Sequence, residues 1–161
     1  MASQARVKGG AAVTGGRDVI RRYRSSDADE WLRLRFALWP DGLAAHAAEM
    51  DQWLERADAA VFVATRPGGD LCGFVEVGAR PYADGCESSP VAFIEGWYVD
   101  SDSRRTGIGR ALIHAAEEWA KQQRYRELAS DVLLDNTASQ RAHERIGFVE
   151  VERAVKYRKQ I

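Results

Sequence analysis

Apolar residues along the chain follow two different spacings, which together predict a mixed α/β fold. Residues 91–99 form a nearly continuous apolar run that is rich in β-branched and aromatic side chains, as in a buried strand. A polar turn follows at 100–103. Beyond it, Ile108, Leu112, Ala115, Ala116 and Trp119 recur at helical spacing on one face. The stretch from 91 to 119 therefore predicts a central strand, a turn and an amphipathic helix.

The same reading applied to the rest of the chain predicts the order β-α-α-β-β-β-α-β-α-β-β within one domain, residues 17–161. The predicted strands cover residues 19–23, 60–64, 71–77, 127–131, 148–151 and 154–157. The predicted helices start near Ser26, Leu43 and Thr137, besides the one that follows the central strand. Residues 1–16 are small, polar and rich in glycine, which predicts a disordered leader without a structural role.

Composition narrows the class of protein. The 161 residues carry a formal net charge of −1, so nucleic acid is not an expected partner. No apolar run reaches transmembrane length, and the N-terminus lacks the apolar segment of a signal peptide. Cys72 and Cys86 form no disulfide framework, and no cluster of histidine and cysteine predicts a metal site. We expect a soluble cytoplasmic protein without a metal.

The turn between the central strand and its helix has the pattern Arg104-x-x-Gly107-x-Gly109. Glycines at a helix start bring backbone N–H groups to the positive end of the helix dipole, which favours an anion. The pattern is not a Walker A loop, which needs four residues between its glycines, and it lacks the third glycine of a dinucleotide fingerprint. The turn therefore predicts an anion site; the alternative is a plain helix start, where such glycine turns also occur.

Strand, turn and helix together resemble the acetyl-coenzyme A pyrophosphate loop of the GCN5-related N-acetyltransferases (GNAT). The resemblance implies a mixed, mostly antiparallel sheet that splays at its central strands and is flanked by helices. It also implies that acetyl-CoA binds in the splay, with the Val99 N–H facing the thioester oxygen. The residues that the resemblance assigns to the cofactor are Val99, Arg104, Arg105, Thr106, Gly107, Ile108, Gly109, Arg110 and Asn136.

The last predicted helix departs from the family pattern at one position. The run Asn136-x-x-Ser139-x-x-x-His143-x-x-x-Gly147-Phe148 places histidine where the family usually has a tyrosine that protonates the departing thiolate. His143 is suited to proton transfer, which makes it a candidate general acid. It could equally be a packed polar residue, because a thiol with a pKa of about 8.5 leaves readily as thiolate.

A narrower resemblance covers most of the domain. Residues 38–40, 86–90, 93–96, 129–131 and 147–148 are similar to the chromosomal bacterial aminoglycoside 6′-N-acetyltransferases. Those enzymes form homodimers and acetylate polycationic antibiotics, so the resemblance implies both properties here. The substrate contacts that it implies are Trp39, Tyr82, Glu87, Glu95 and Asp131.

Two of these acids stand out on physical grounds as well. Glu95 interrupts an apolar strand and Asp131 ends another, and a buried carboxylate is costly unless it is paired or faces a cavity. Either could accept the proton of the attacking amine. The alternative for both is a structural ion pair with an arginine. Glu76, Glu117 and Glu118 are expected on solvated faces.

Three other functions stay open at this point. The acceptor could be a polyamine or a peptide amine, which would also need acids. The missing tyrosine is compatible with a non-catalytic module that only senses acyl-CoA. Least favoured is a nucleotide-binding protein that uses the glycine turn for a different phosphate.

Overall fold

The computed structural model describes residues 19–40 and 42–161. Within them the strands are β1 Val19–Arg22, β2 Ala59–Thr65, β3 Leu71–Arg80, β4 Val91–Val99 and β5 Leu128–Ser130. The α-helices are α1 Ala28–Leu38, α2 Leu43–Glu55, α3 Ile108–Gln122 and α4 Thr137–Arg145. Short 3₁₀ turns, Ser25–Asp27 and Ser101–Ser103, precede α1 and the turn into α3. The predicted order of elements is confirmed from β1 to α4.

The strands form a single mixed sheet in the order β1-β2-β3-β4-β5. The first four are antiparallel neighbours, whereas β4 and β5 are parallel. A parallel pair needs a crossover connection, and α3 provides it. The predicted fold class, a mostly antiparallel sheet flanked by helices, is confirmed.

Helices cover both faces of the sheet. Trp31 and Leu34 of α1 are fully buried with Phe74 of β3 on one face, together with Met50 of α2. On the other face, the predicted stripe of α3 packs on β3 and β4, with Leu112 and Ala116 fully buried. None of the described helices is long and apolar enough to cross a membrane.

The sheet opens beside β4. Only three residue pairs join β4 to β5, from Ala92↔Leu128 to Ile94↔Ser130, although β4 continues to Val99. At the same point β4 carries a β-bulge, because Gly96 pairs with Glu76 and Ile94 with the next residue of β3. Glu95 is the extra residue of this bulge. The expected splay therefore lies directly after Ile94, and Glu95 stands at its edge.

Two predicted strands are wrong. Residues 148–151 and 154–157 adopt no strand in the structure, and the side chains of Val149, Val151, Val155 and Tyr157 are exposed. Their alternating pattern favours a strand, but a strand also needs a ladder partner, and this backbone pairs with none of the described strands. The predicted leader, residues 1–16, lies outside the described residues.

Candidate active site

The turn between β4 and α3 has the geometry of an anion site. Gly107 caps α3 with a φ of +95°, and Arg105 also lies in the left-handed region, at +64°. No atom of the described residues lies within 4 Å of a Cβ built on Gly107, so glycine is favoured here by its positive φ and not by lack of space. The first hydrogen bond of α3 runs from the Ala111 N–H to the Gly107 carbonyl. The N–H groups of the first helical turn thus have no intrahelical acceptor; they belong to Ile108, Gly109 and Arg110.

Side chains hold this turn in place. The Thr106 hydroxyl donates to a carbonyl of the preceding 3₁₀ turn at 2.7 Å. The Arg110 guanidinium donates to the Arg145 carbonyl at 3.0 Å, which ties α3 to the end of α4. Gly109 lies against the Trp97 ring, where a Cβ would stand 3.0 Å from Cζ2. The main chain of the turn is therefore fixed and open on its outer side.

Val99 directs its backbone toward the gap beside β4. The Asp100 N–H donates to the Cys72 carbonyl of β3 at 2.8 Å. Since successive N–H groups of an extended strand point to opposite sides, the Val99 N–H points away from β3. The Val99 carbonyl, on the same side, accepts from Arg104 Nε at 2.8 Å. An N–H donor at the gap is the arrangement expected for a thioester oxygen.

Helix α4 places the two other residues that the sequence predicts on this side. Asn136 is the N-cap of α4, and its side chain accepts from the Ser139 N–H at 3.1 Å. His143 Nδ1 lies 2.8 Å from the Ser139 carbonyl, and Nε2 lies 3.0 Å from the Ser130 hydroxyl. Because a carbonyl only accepts, Nδ1 carries a proton, and Nε2 lies within hydrogen-bond distance of the Ser130 hydroxyl. Both ring nitrogens thus have protein partners.

On the opposite face of the sheet, a cavity of about 500 Å³ lies between α1, α2 and the strands. Its charged lining consists of three carboxylates and two guanidinium groups, from Glu49, Glu76, Glu95, Arg35 and Arg56. Trp39 and His46 add a stacked pair of rings 6.0 Å apart. The cavity therefore joins an acidic surface to an aromatic one.

Trp39 is fixed at this cavity from three sides. Its ring lies on Gly96, where a Cβ would come within 2.6 Å of Cη2. The Arg35 guanidinium stands 5.0 Å from its ring centroid. Its carbonyl accepts from His46 Nε2 at 2.8 Å. Glycine at the β-bulge is therefore required by the close approach of the indole.

Glu95 lines the same cavity, and its carboxylate forms a bidentate ion pair with an arginine. Arg80 Nε and Nη2 donate to the two oxygens at 2.7 and 2.5 Å. The guanidinium also lies 3.4 Å above the centroid of the Phe93 ring. The structural ion pair that the sequence left open for Glu95 is present, at the edge of the cavity.

The remaining predicted substrate residues do not line this cavity. Tyr82 is 72 % exposed, and Glu87 is exposed in the loop before β4. Asp131 follows β5 directly, and its carboxylate is exposed, 3.9 Å from Lys156 Nζ. The structure thus brings Trp39 and Glu95 together and leaves the other three residues outside.

The loop before β4 is held by an acid that the sequence reading did not single out. The Glu127 carboxylate accepts from the N–H groups of Glu87 and Ser88, and from the Ser88 hydroxyl. These donors, the hydroxyl above all, lower the pKa of Glu127. The loop that carries Glu87 is therefore anchored to the residue that precedes β5.

Glu76 is the clearest correction to the sequence reading, which placed it on a solvated face. It is only 2 % exposed, and its Oε1 accepts from Trp31 Nε1 at 2.9 Å and from Arg35 Nη1 at 2.6 Å. Burial raises the pKa of Glu76 to about 7, although Arg35 opposes the shift. Arg35 also donates to Glu49 at 2.6 Å. Sequence gave one signal, an acid within a strand whose other residues are mostly apolar.

Comparison with known proteins decides the family. The model of the acetyltransferase (GNAT) family matches residues 25–148. The chain belongs to this family. It is 43 % identical to an aminoglycoside N(6′)-acetyltransferase type 1 of Klebsiella aerogenes over 88 % of this chain and 95 % of that protein. Identity to the Serratia marcescens protein of the same name is 49 %, over 81 % and 91 %.

Solved structures of this GNAT family agree. The crystal structure of aminoglycoside antibiotic 6′-N-acetyltransferase AAC(6′)-Ih from Acinetobacter baumannii is 38 % identical, with a TM-score of 0.85 over 90 % of this chain and 99 % of that one. AAC(6′)-Iy in complex with the bisubstrate analog CoA-S-monomethyl-acetylneamine is 36 % identical, with the same TM-score, over 91 % and 100 %. Within residues 19–40 and 42–161, no group of three or more His, Cys, Asp or Glu side chains could hold a metal ion.

Proposed function

We propose that this protein transfers the acetyl group of acetyl-CoA to the 6′-amine of aminoglycoside antibiotics. The observation that carries the proposal is the position of Glu95. It stands where the ladder between β4 and β5 ends, and it also lines the acidic cavity under α2. An acyl donor in the gap and a cationic acceptor in the cavity would meet at this bulge. The names of the relatives support the choice of acceptor.

The residues present fit acetyl-CoA. The free N–H groups at the start of α3 and the left-handed backbone at Arg105 and Gly107 would hold a pyrophosphate. The Val99 N–H would donate to the thioester oxygen as negative charge develops there. Bound acetyl-CoA supplies the activated acyl group; the chain positions it and stabilises charge. Thr106, Arg104, Arg110 and Asn136 support this site through the contacts described above.

The acceptor side fits a polycation. Glu95 and Asp131 would bind ammonium groups. A carboxylate has more lone pairs than Arg80 occupies, so Glu95 can accept from an ammonium group while Arg80 stays in place. The indole of Trp39 offers a flat surface for a sugar ring. Tyr82 and Glu87 would contact the acceptor from the anchored loop before β4. Several carboxylates around one ligand favour an acceptor with several positive charges.

For His143 we propose a positioning role. In this role His143 donates from Nδ1 to the Ser139 carbonyl and accepts from the Ser130 hydroxyl at Nε2. It thereby orients the Ser130 hydroxyl at the end of β5. The general-acid role predicted from the sequence is the competing hypothesis, and it requires a proton on Nε2.

We also propose that the protein is a cytoplasmic homodimer. The segment after α4 exposes large apolar side chains at alternating positions, among them Val149, Val151, Val155 and Tyr157. Apolar area that the single chain leaves in water is stabilised by burial against another surface. A second copy of the chain is the partner that the resemblance implies.

A panel of acceptors tests the reaction class. We expect thiol release from acetyl-CoA with an aminoglycoside, and little with spermine or a lysine peptide. If only spermine or only the peptide supported turnover, that amine and not an aminoglycoside would be the acceptor. Binding of coenzyme A without turnover of any acceptor would favour the acyl-CoA-sensing alternative.

A further inference from the structure

The acceptor enters this site as an ammonium ion, so a group in the cavity must take its proton before the amine can attack. Glu95, the carboxylate that the sequence favours for this task, is poorly placed to do so. Both of its oxygens accept from Arg80. Each oxygen thus already has a charged donor, and neither is left open to take over a proton from the acceptor.

Glu76 has the opposite environment in the same cavity. It lies on β3 beside the bulge, paired with Gly96, and it lines the cavity together with Glu95. Trp31 and Arg35 both donate to Oε1. No donor from the described part of the chain reaches Oε2. One oxygen is thus fixed by the protein while the other is left for a ligand.

We propose that Glu76 is the general base that takes the proton from the acceptor ammonium group. This inference rests on the proposed function and deepens it. In the step, the N–H electron pair stays on nitrogen and the proton moves to Oε2. The products are a neutral amine and a neutral carboxylic acid. The amine then attacks the thioester carbon.

The surroundings of Glu76 suit this role. The charged and titratable groups that share the cavity with Glu76 are Arg35 from α1, His46 and Glu49 from α2, Arg56 after α2, and Glu95, whose partner is Arg80. Burial and the charge of Glu95 raise the pKa of Glu76, while Arg35 and Trp31 lower it. The balance is a pKa of about 7, near the value at which a general base is most effective.

Two carboxylate–guanidinium pairs at this cavity have different hydrogen-bonding patterns. Arg35 could satisfy both oxygens of Glu76, as Arg80 does for Glu95, but instead it divides its donors between Glu76 and Glu49. The result is a chain of groups from the buried Glu76 to Glu49, whose side chain is 55 % exposed. These hydrogen bonds orient the Glu76 carboxylate and leave Oε2 available to a ligand.

The test compares the pH dependence of kcat/KM for a 6′-amine acceptor in the wild type, Glu76→Gln and Trp31→Phe. The ionisation of the free acceptor is the same for all three proteins, so differences belong to the enzyme. We expect Glu76→Gln to lower kcat/KM at least 100-fold, to remove the enzyme's acidic limb and to leave the KM for acetyl-CoA within twofold. Trp31→Phe removes a donor to the carboxylate and should move that limb to higher pH by about half to one unit.

Glu49→Gln is the matched control, because it removes one negative charge from the same cavity. It should change the acceptor KM and keep an acidic limb, displaced if anything to lower pH because Arg35 then acts on Glu76 alone, whereas Glu76→Gln should remove that limb. A limb that survives unchanged in Glu76→Gln, or that does not move in Trp31→Phe, would overturn the proposal. The second variant keeps the test open if Glu76→Gln does not fold.

A measurement on the free protein separates this proposal from the proposed function. Carbon NMR of glutamate carboxyl groups, with Glu76 assigned from the spectrum of Trp31→Phe, should give a midpoint near pH 7 for the wild type. A midpoint near 4 would overturn the role of Glu76 whatever the acceptor. If the wild-type protein acetylated no amine while the midpoint stayed near 7, the proposed function would be wrong. The role of Glu76 as its general base would then be wrong as well.

Discussion

At the scale of single residues, the cavity holds two carboxylates of similar position and different chemistry. Glu95 is the extra residue of the β-bulge in β4, and Glu76 lies beside it on the neighbouring strand. Arg80 donates to both oxygens of Glu95. Trp31 and Arg35 donate to only one oxygen of Glu76, Oε1. From these hydrogen bonds we assign Glu95 to the binding of positive charge and Glu76 to the acceptance of a proton.

Replacing Glu95 by glutamine tests its role in binding. We expect Glu95→Gln to raise the KM for the acceptor about tenfold, because one charged contact to an ammonium group is lost. The KM for acetyl-CoA should not change. Glu118→Gln is the matched control, since Glu118 pairs with Lys121 on α3 and is not part of the cavity lining. A rise in the acetyl-CoA KM instead would place Glu95 at the cofactor.

His143→Gln separates positioning from proton transfer. A glutamine amide has both a donor for the Ser139 carbonyl and an acceptor for the Ser130 hydroxyl. We therefore expect kcat within about fivefold of the wild type and an unchanged pH profile. A loss of 100-fold or more in kcat would be the signature of a general acid.

Sequence could identify some of these residues and not others, for a physical reason. Glu95 is visible because it interrupts an apolar strand. Glu76 lies in a similar run, yet its neighbours at Trp31 and Arg35 are more than forty positions away along the chain. Arg80 is only 15 positions from Glu95, and it was hidden because the register between β3 and β4 cannot be read from the spacing along either strand. The partners of a charge depend on packing between elements, which spacing along one element does not reveal.

At the scale of elements, the turn before α3 depends on Gly107. In Gly107→Ala the backbone must keep a φ of +95° with a side chain, which costs about 1–2 kcal/mol. We expect affinity for coenzyme A to fall about tenfold, as measured by calorimetry. Gly68→Ala is the control, because a Cβ there meets no atom within 4 Å and its backbone is not left-handed. Unchanged affinity in Gly107→Ala would contradict the anion-site geometry.

The elements themselves follow from periodicity wherever a face is buried. Strand β4 has its predicted bounds, 91–99, and the stripe of α3 is buried as expected. The predicted strands after α4 fail because alternation specifies which face is apolar and does not supply a ladder partner. Residues 148–157 have the alternating apolar pattern of a strand, but no described strand lies beside them to form the ladder.

At the scale of the whole molecule, the apolar segment after α4 bears on assembly. If it meets a second copy, Val151→Asp combined with Tyr157→Asp should convert a dimer to a monomer. Two charges placed in an apolar interface are costly to bury. Sedimentation of the wild type and of this variant measures the change. Glu152→Gln is the control, an exposed change in the same segment. A monomeric wild type would contradict the homodimer.

The central claim concerns the whole site, in which an acyl donor beside β4 and a cationic acceptor under α2 meet at one bulge. The most direct measurement is thiol release from acetyl-CoA with two aminoglycosides that differ only in an amine or a hydroxyl at the 6′ carbon. Our account predicts turnover with the 6′-amine compound and none above background with the 6′-hydroxyl compound. Equal turnover of both would place the acetyl group on another amine and contradict the account.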